Sequence, residues 1–306
     1  MENSKGIMLL LATAFVSGFS VFLNTFAVKG FDPFVFTTAK NVVVAVLLFS
    51  AVLLLREFRE LKLLSQKQWL QLLAIGAIGG SFAFLIYFYA LKEIAAAANA
   101  GFIHKTLFIW ATLLAVVFLK EKINKKFLAG AALLMLGNFF LFSSISSFGL
   151  TEILLLAATM MWAAENVLAK HVLKNTSGRI VAFGRMFFGS LIMLGFLAAT
   201  NQVQGMFELS VEQIQWVLLT AALLFLYVIT YYAGLKYLKV STATSMLLLS
   251  QPITGILSLV FLGEGLSFSH ALGLFLIVAG TLVIFGFSVL AQLVKWKGLL
   301  LAAKRT

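Results

Sequence analysis

Most of the chain consists of apolar runs of about 20 residues, separated by short segments that carry charges or glycine. A helix of that length crosses the ~30 Å hydrocarbon core of a bilayer and satisfies its own backbone hydrogen bonds there. The runs therefore predict an all-α integral membrane protein. The ten predicted spans cover about residues 6–27, 34–55, 69–91, 96–119, 127–144, 149–170, 179–200, 212–235, 240–262 and 268–291.

The composition supports a membrane protein and excludes several kinds of site. Charged residues make up 11% of the chain, against roughly 25% in soluble proteins. The chain has no cysteine, which excludes disulfides and thiolate metal sites. Its three histidines, His104, His171 and His270, are far apart in the sequence, so we expect no metal site and no cofactor.

The basic residues indicate how the chain crosses the membrane. With the N-terminus in the cytoplasm, 18 of the 23 Lys and Arg residues fall on the cytoplasmic side and two on the outer side. The prediction is a multi-pass protein of the cytoplasmic membrane with both termini inside. The net charge of +12 then faces membrane lipid, and we expect no nucleic-acid partner, because the basic residues lie in short loops.

One five-span unit occurs twice in the chain. The paired positions are "FLKE" (118–121) with "FLGE" (261–264), Gly130 with Gly273, Gly137 with Gly280, and Lys40 with Arg185. Because five is odd, the second copy enters the membrane in the opposite direction, a design found in many secondary transporters. We predict a first repeat at residues 1–146, an inverted second repeat at 147–292 and a basic cytoplasmic tail at 293–306.

Ten spans, two inverted halves and the Pro252-(x)11-Glu264 element resemble the EamA family of the drug/metabolite transporter superfamily. The first half keeps Glu121 but has Ile109 at the proline position. The resemblance implies a central cavity lined mainly by spans one, three, four, six, eight and nine. It also implies a small organic solute, often an amino acid or another metabolite and frequently exported.

Ionisable residues inside the spans are the first candidates for the solute site, because intramembrane charge is costly and usually functional. His104 and Lys105 lie near the middle of span four, and Glu165 and Asn166 lie in span six. Lys105 is interpreted as an anchor for an anionic group of the solute. Glu165 is its candidate counter-charge, although a direct pair is not required by the depths. Glu165 and His104 are also the candidate groups for proton coupling.

Further candidates are aromatic and polar residues of the central spans. We expect Tyr87, Trp162, Tyr227, Tyr231 and Gln251 to contact the solute, and Pro252 to kink a gating helix. Each could instead be a packing residue. Lys40 and Arg185 are interpreted as structural anchors or helix-packing groups, because each lies about six residues from a membrane face, within snorkelling reach.

These features favour a secondary carrier of a small polar metabolite, such as an amino acid or a related zwitterion or anion, working by alternating access. The alternative is an extruder or flippase of drugs or lipid-like amphiphiles. The sequence has neither a nucleotide-binding loop nor a nucleophile with a base, so we expect neither ATP hydrolysis nor an enzyme. The sequence is compatible with both a monomer and a homodimer, because small residues of spans five and ten can pack within or between subunits.

Overall fold

The computed structural model describes residues 2–27, 30–93, 97–141, 149–263, 265 and 267–286. These residues form helices and short loops, with no strand among them. The predicted repeat boundary at 146/147, Glu264 and the tail at 293–306 lie outside the described residues. The prediction of an all-α membrane protein is confirmed.

The helices follow the predicted spans in order. Their bounds are α1 Glu2–Ala27, α2 Pro33–Leu54, α3 Phe58–Lys62, α4 Gln66–Ile75, α5 Ala83–Glu93, α6 Ala97–Lys105, α7 Leu107–Leu119, α8 Lys125–Phe140, α9 Leu150–Val172, α10 Gly178–Ala199, α11 Val211–Tyr237, α12 Val240–Met246, α13 Ser250–Leu262 and α14 Phe268–Phe285. A π-helical segment, Gly76–Phe82, joins α4 to α5 within span three. Nine helical stretches in the described part are long and apolar enough to cross a membrane. The fifth predicted span is α8, which has 16 residues.

Polar residues at the loop ends start these helices. The Asp32 side chain accepts hydrogen bonds from the backbone of Phe34 and Val35, and Pro33 follows it at the first helical position of α2. Ser65 and Gln68 form a capping box at α4, and Ser210 and Gln213 form another at α11. The breaks between the apolar runs thus act as helix-start signals.

Helices α8 and α14 show the inverted relation of the two halves directly. A Cβ placed on Gly130 would lie 2.7 Å from the carbonyl oxygen of Gly280, and one on Gly137 would lie 2.7 Å from that of Gly273. In the repeats Gly130 corresponds to Gly273, and Gly280 corresponds to Gly137. The contact of Gly130 with Gly280 is therefore equivalent to the contact of Gly273 with Gly137. A pseudo-two-fold axis therefore passes between the two helices, which pack within one chain through their small residues.

The loops on the side where α1 begins, hereafter the N-terminal face, contact one another. Arg179 forms an ion pair with Glu57, and Lys239 Nζ donates to the carbonyl oxygen of Lys122 at 2.7 Å. The Glu121 carboxylate accepts from Val240 N at 2.6 Å and from the Ser241 hydroxyl at 2.6 Å. Glu121 thereby caps the start of α12 and joins the two repeats at this face.

Spans four and nine are interrupted at equivalent points. Thr106 separates α6 from α7, and a 3₁₀ turn at Leu247–Leu249 separates α12 from α13. Thr106 corresponds to Leu249, because equivalent residues of these two spans lie 143 positions apart in the sequence, as "FLKE" and "FLGE" do. Pro252 explains part of the second break, because it has no N–H to continue the α-helical ladder. Discontinuous helices of this kind surround the central sites of many transporters.

Candidate functional site

A cavity of about 300 Å³ lies between the two halves, near the breaks in spans four and nine. Its lining residues are Ser17, Ser20, Val21, Asn24, Lys40, Phe84, Tyr87, Phe88, His104, Lys105, Leu107, Phe108, Trp162, Glu165, Asn166, Arg185, Leu224, Tyr227, Tyr231, Tyr232, Thr244, Leu247 and Leu248. They come from all six spans that the resemblance implies and also from spans two and seven. The volume is at the lower end of the range for small-molecule sites.

The cavity is closed toward the N-terminal face. Tyr232, Glu165 and Thr244, which line that end, are at most 2% exposed. At the opposite end Val21 is 43% exposed and Asn24 is partly exposed. The described conformation is therefore sealed at the face where Glu121 joins the repeats.

The polar residues that the sequence singles out on span six, Glu165 and Asn166, line this cavity. Glu165 Oε1 accepts a hydrogen bond from the Tyr232 hydroxyl at 2.5 Å. Asn166 Oδ1 accepts one from the Tyr231 hydroxyl at 2.5 Å. Two adjacent tyrosines of α11 thus bond two adjacent polar residues of α9 beside the cavity, within the second repeat.

The π-helical segment supplies a carbonyl group to the same region. Its wider turn changes the hydrogen-bond ladder, and such turns are frequent at functional sites. The carbonyl oxygen of Gly79 accepts from Trp162 Nε1 at 3.0 Å and from an Arg185 terminal nitrogen, also at 3.0 Å. A Cβ on Gly79 would lie 2.3 Å from Glu165 Cγ, so only glycine lets Glu165 approach this backbone. The sequence alone does not predict this segment.

Lys105 connects the two helix breaks. Its ammonium group donates to the Ser250 hydroxyl at 2.9 Å, from the end of α6 to the start of α13. Lys105 forms no ion pair with Glu165; the two residues line one cavity and bond different neighbours. The cavity thus presents separate cationic and anionic groups, which agrees with predicted depths that do not require a direct pair.

His104 belongs to an aromatic wall. Its ring centroid lies 4.9 Å from that of Trp162 and 5.6 Å from that of Tyr87. His104 Nδ1 is buried and has no hydrogen-bond partner among the described residues. On the facing helix, Tyr227 stacks on Tyr231 with ring centroids 5.7 Å apart. Most of the predicted aromatic residues therefore surround one space.

The structure overturns the interpretation of Lys40 and Arg185 as snorkelling anchors. Both are 7% exposed and both line the cavity. Lys40 Nζ lies 5.0 Å above the ring of Phe36, and the Arg185 guanidinium lies 5.6 Å from the ring of Phe84. The number of residues from a membrane face indicates how deep a side chain lies, but not toward which side of the helix it points. For Lys40 and Arg185 that side determines that they line the cavity.

Gln251 does not line the cavity, in contrast to the sequence expectation. Its amide nitrogen donates to Asn138 Oδ1 of α8 at 3.1 Å. The preceding residue, Ser250, is the one that bonds Lys105. Pro252 is buried beside them, and its gating role stays a prediction.

Comparisons with known proteins agree with this architecture. The EamA-like transporter family matches residues 4–143 and 149–286, one stretch in each predicted half. An uncharacterized transporter of Archaeoglobus fulgidus is 26% identical over 194 residues, which cover 61% of this chain and 60% of that protein. A crystal structure of a protein that is 20% identical has a TM-score of 0.71 and covers 90% of this chain and 97% of that one. The last likeness concerns the fold alone.

Proposed function

Because the chain belongs to the EamA-like transporter family, we propose that it is a secondary transporter of a small polar organic metabolite. The solute is an amino acid or a related zwitterion or anion, and it is carried by alternating access across the cytoplasmic membrane, in the export direction. The proposed binding residues are Lys105, His104, Tyr87, Trp162, Glu165, Asn166, Tyr227 and Tyr231.

The observation that supports this proposal best is the polar content of the cavity. Lys105, Glu165, Lys40 and Arg185 meet in one space at the repeat interface, and Trp162 and the tyrosines form its walls. Ionisable groups inside a membrane are retained where they face a pathway or each other. A space of about 300 Å³ with charged groups and aromatic walls suits a compact polar solute better than a bulky lipid.

The proposed chemistry of transport uses both kinds of group. The ammonium of Lys105 holds an anionic group of the solute, and Trp162 and Tyr87 pack against its organic body. Glu165, bonded to Tyr232, is the candidate group for proton coupling. Exchange of its proton would alter the Tyr232 contact and thus the packing of α9 on α11 at the closed end.

The test is transport by the purified protein in liposomes. We expect saturable uptake of at least one labelled amino acid or small organic acid, competed by the unlabelled compound. Lys105→Ala should raise KM roughly 10- to 100-fold, because a charge-assisted hydrogen bond contributes about 1.5–3 kcal/mol. If Glu165 couples protons, Glu165→Gln should retain counterflow exchange and lose uptake driven by a pH gradient.

Two results would contradict the proposal. One is transport limited to lipophilic dyes or lipids, which would favour the extruder or flippase. The other is a Lys105→Ala variant with an unchanged KM for the transported solute. The matched control is Lys62→Met, an exposed lysine at the N-terminal face.

A further inference from the structure

The cavity contains more positive than negative charge. Three cationic side chains line it, Lys40, Lys105 and Arg185, and Glu165 is the one carboxylate among its described lining residues. With these groups in their ordinary charge states, the balance is an excess of two positive charges, and Lys40 and Arg185 are each only 7% exposed. Buried charges of this kind are normally compensated by a partner of opposite sign.

Protein groups do not compensate Lys40 or Lys105. Lys40 is 7% exposed and its only polar interaction among the described residues is with the ring face of Phe36. Lys105 donates to a neutral hydroxyl, that of Ser250. Neither ammonium lies in an ion pair with a described carboxylate.

Arg185 is also only partly satisfied. One terminal nitrogen donates to the Gly79 carbonyl at 3.0 Å, and the other lies 3.9 Å from the Met186 sulfur, a weak acceptor. Its Nε is buried and has no hydrogen-bond partner among the described residues. A guanidinium has five N–H donors, so most of its capacity to bind an anion is unused.

Lys40 and Arg185 occupy equivalent places in the two repeats. Lys40 on α2 and Arg185 on α10 correspond at an offset of 145, and these two helices pack against each other. Each repeat therefore contributes one buried cation to the same cavity. The first repeat also contributes Lys105, and the second contributes Glu165.

We propose that the transported solute carries a net negative charge, and that Lys40 and Arg185 select it together with Lys105. The inference rests on the proposed function of this cavity and narrows its solute class to small organic anions with at least one carboxylate beyond any ammonium group. A bound dianion would balance the excess charge and occupy the unused donors of Arg185. A zwitterion such as glutamine would leave that excess in place.

The experiment compares matched pairs of solutes in which one or two ionised carboxylates are replaced by neutral amides. Thermal stability of the purified protein is measured with glutamate and glutamine, succinate and succinamide, phenylacetate and phenylacetamide, and inorganic sulfate. We expect at least one organic anion to raise Tm while its amide does not. The affinity for that anion should fall roughly 10- to 100-fold in Lys40→Met and in Arg185→Met.

Charge-keeping variants and a surface lysine provide the controls. Lys40→Arg should retain most of the response, which separates lost charge from lost folding. Lys62→Met is the matched control, because Lys62 also lies 5.0 Å above a phenyl ring, that of Phe58, but on a short helix of the N-terminal face. It should leave the response to the anions unchanged.

Three outcomes would overturn the inference. They are an equal response to amide and acid, a response to sulfate as large as to every organic anion, and no response to any anion. If the liposome assay then still shows saturable transport of a neutral or zwitterionic solute, the proposed function stands and only its anionic form fails. If no polar solute is transported, the proposed function fails as well.

Discussion

Tyr231 and Tyr87 are equivalent tyrosines of the two repeats in different bonding situations. The Tyr231 hydroxyl bonds Asn166, whereas the Tyr87 hydroxyl has no hydrogen-bond partner among the described residues. Tyr231→Phe should therefore lower the free energy of unfolding by about 1–2 kcal/mol, because Asn166 keeps a buried acceptor without its donor. Tyr87→Phe should change it by less than about 0.5 kcal/mol. Thermal unfolding in one detergent measures both, and equal losses would contradict this assignment.

At the scale of single residues, the sequence predicts which side chains are unusual better than where they point. Lys105, Glu165 and Trp162 are recognisable as intramembrane polar or aromatic groups, and all three line the cavity. Lys40 and Gln251 were wrongly placed, because a helix position gives depth while the rotation about the axis depends on packing. Lys40 and Arg185 occupy corresponding positions in the sequences of the two repeats. This correspondence is the sequence feature that indicates a shared role.

At the scale of helices, the crossing of α8 and α14 depends on glycine. In Gly137→Ala the new Cβ would lie 2.7 Å from the Gly273 carbonyl oxygen and 3.0 Å from Ile277 N, so backbone must move. We expect a loss of about 1–3 kcal/mol in unfolding free energy. Gly195→Ala is the matched control: nothing lies within 4 Å of its added Cβ, and alanine favours the helix by up to about 1 kcal/mol. A Gly137→Ala protein as stable as the control would show that the helices separate freely.

The sequence predicts the existence of the helices from their length and hydropathy, but not their interruptions. The break at Thr106 has no proline, and the π-helical segment at Gly76–Phe82 is marked only by small residues. The π-helical segment receives tertiary hydrogen bonds, from Trp162 and Arg185 to the Gly79 carbonyl, whereas at the other break the Thr106 hydroxyl bonds the nearby Ile103 carbonyl. Local sequence contains no signal for such a contact. The repeat-related glycines can be recognised in the sequence. The contacts of Gly130 with Gly280 and of Gly137 with Gly273 follow only from the antiparallel packing of α8 on α14.

For the whole molecule, the inverted repeats imply that one face opens as the other closes. The described conformation is closed at the N-terminal face, where Glu121 of the first repeat caps α12 of the second, and partly open at the other. Because the chain has no cysteine, a single introduced thiol can report each end of the cavity. Thr244→Cys reports the closed end, and Asn24→Cys reports the opposite end.

Loss of the Glu121 cap should shift the protein toward the conformation open at the N-terminal face. In Glu121→Ala, labelling of Thr244→Cys by an impermeant maleimide from that face should rise about fivefold, since a helix cap contributes roughly 1 kcal/mol. Labelling of Asn24→Cys from the opposite face should fall in the same background, because rocking of two rigid halves couples the two ends. An increase at both positions would instead indicate local loosening, and would contradict reciprocal opening of the repeats.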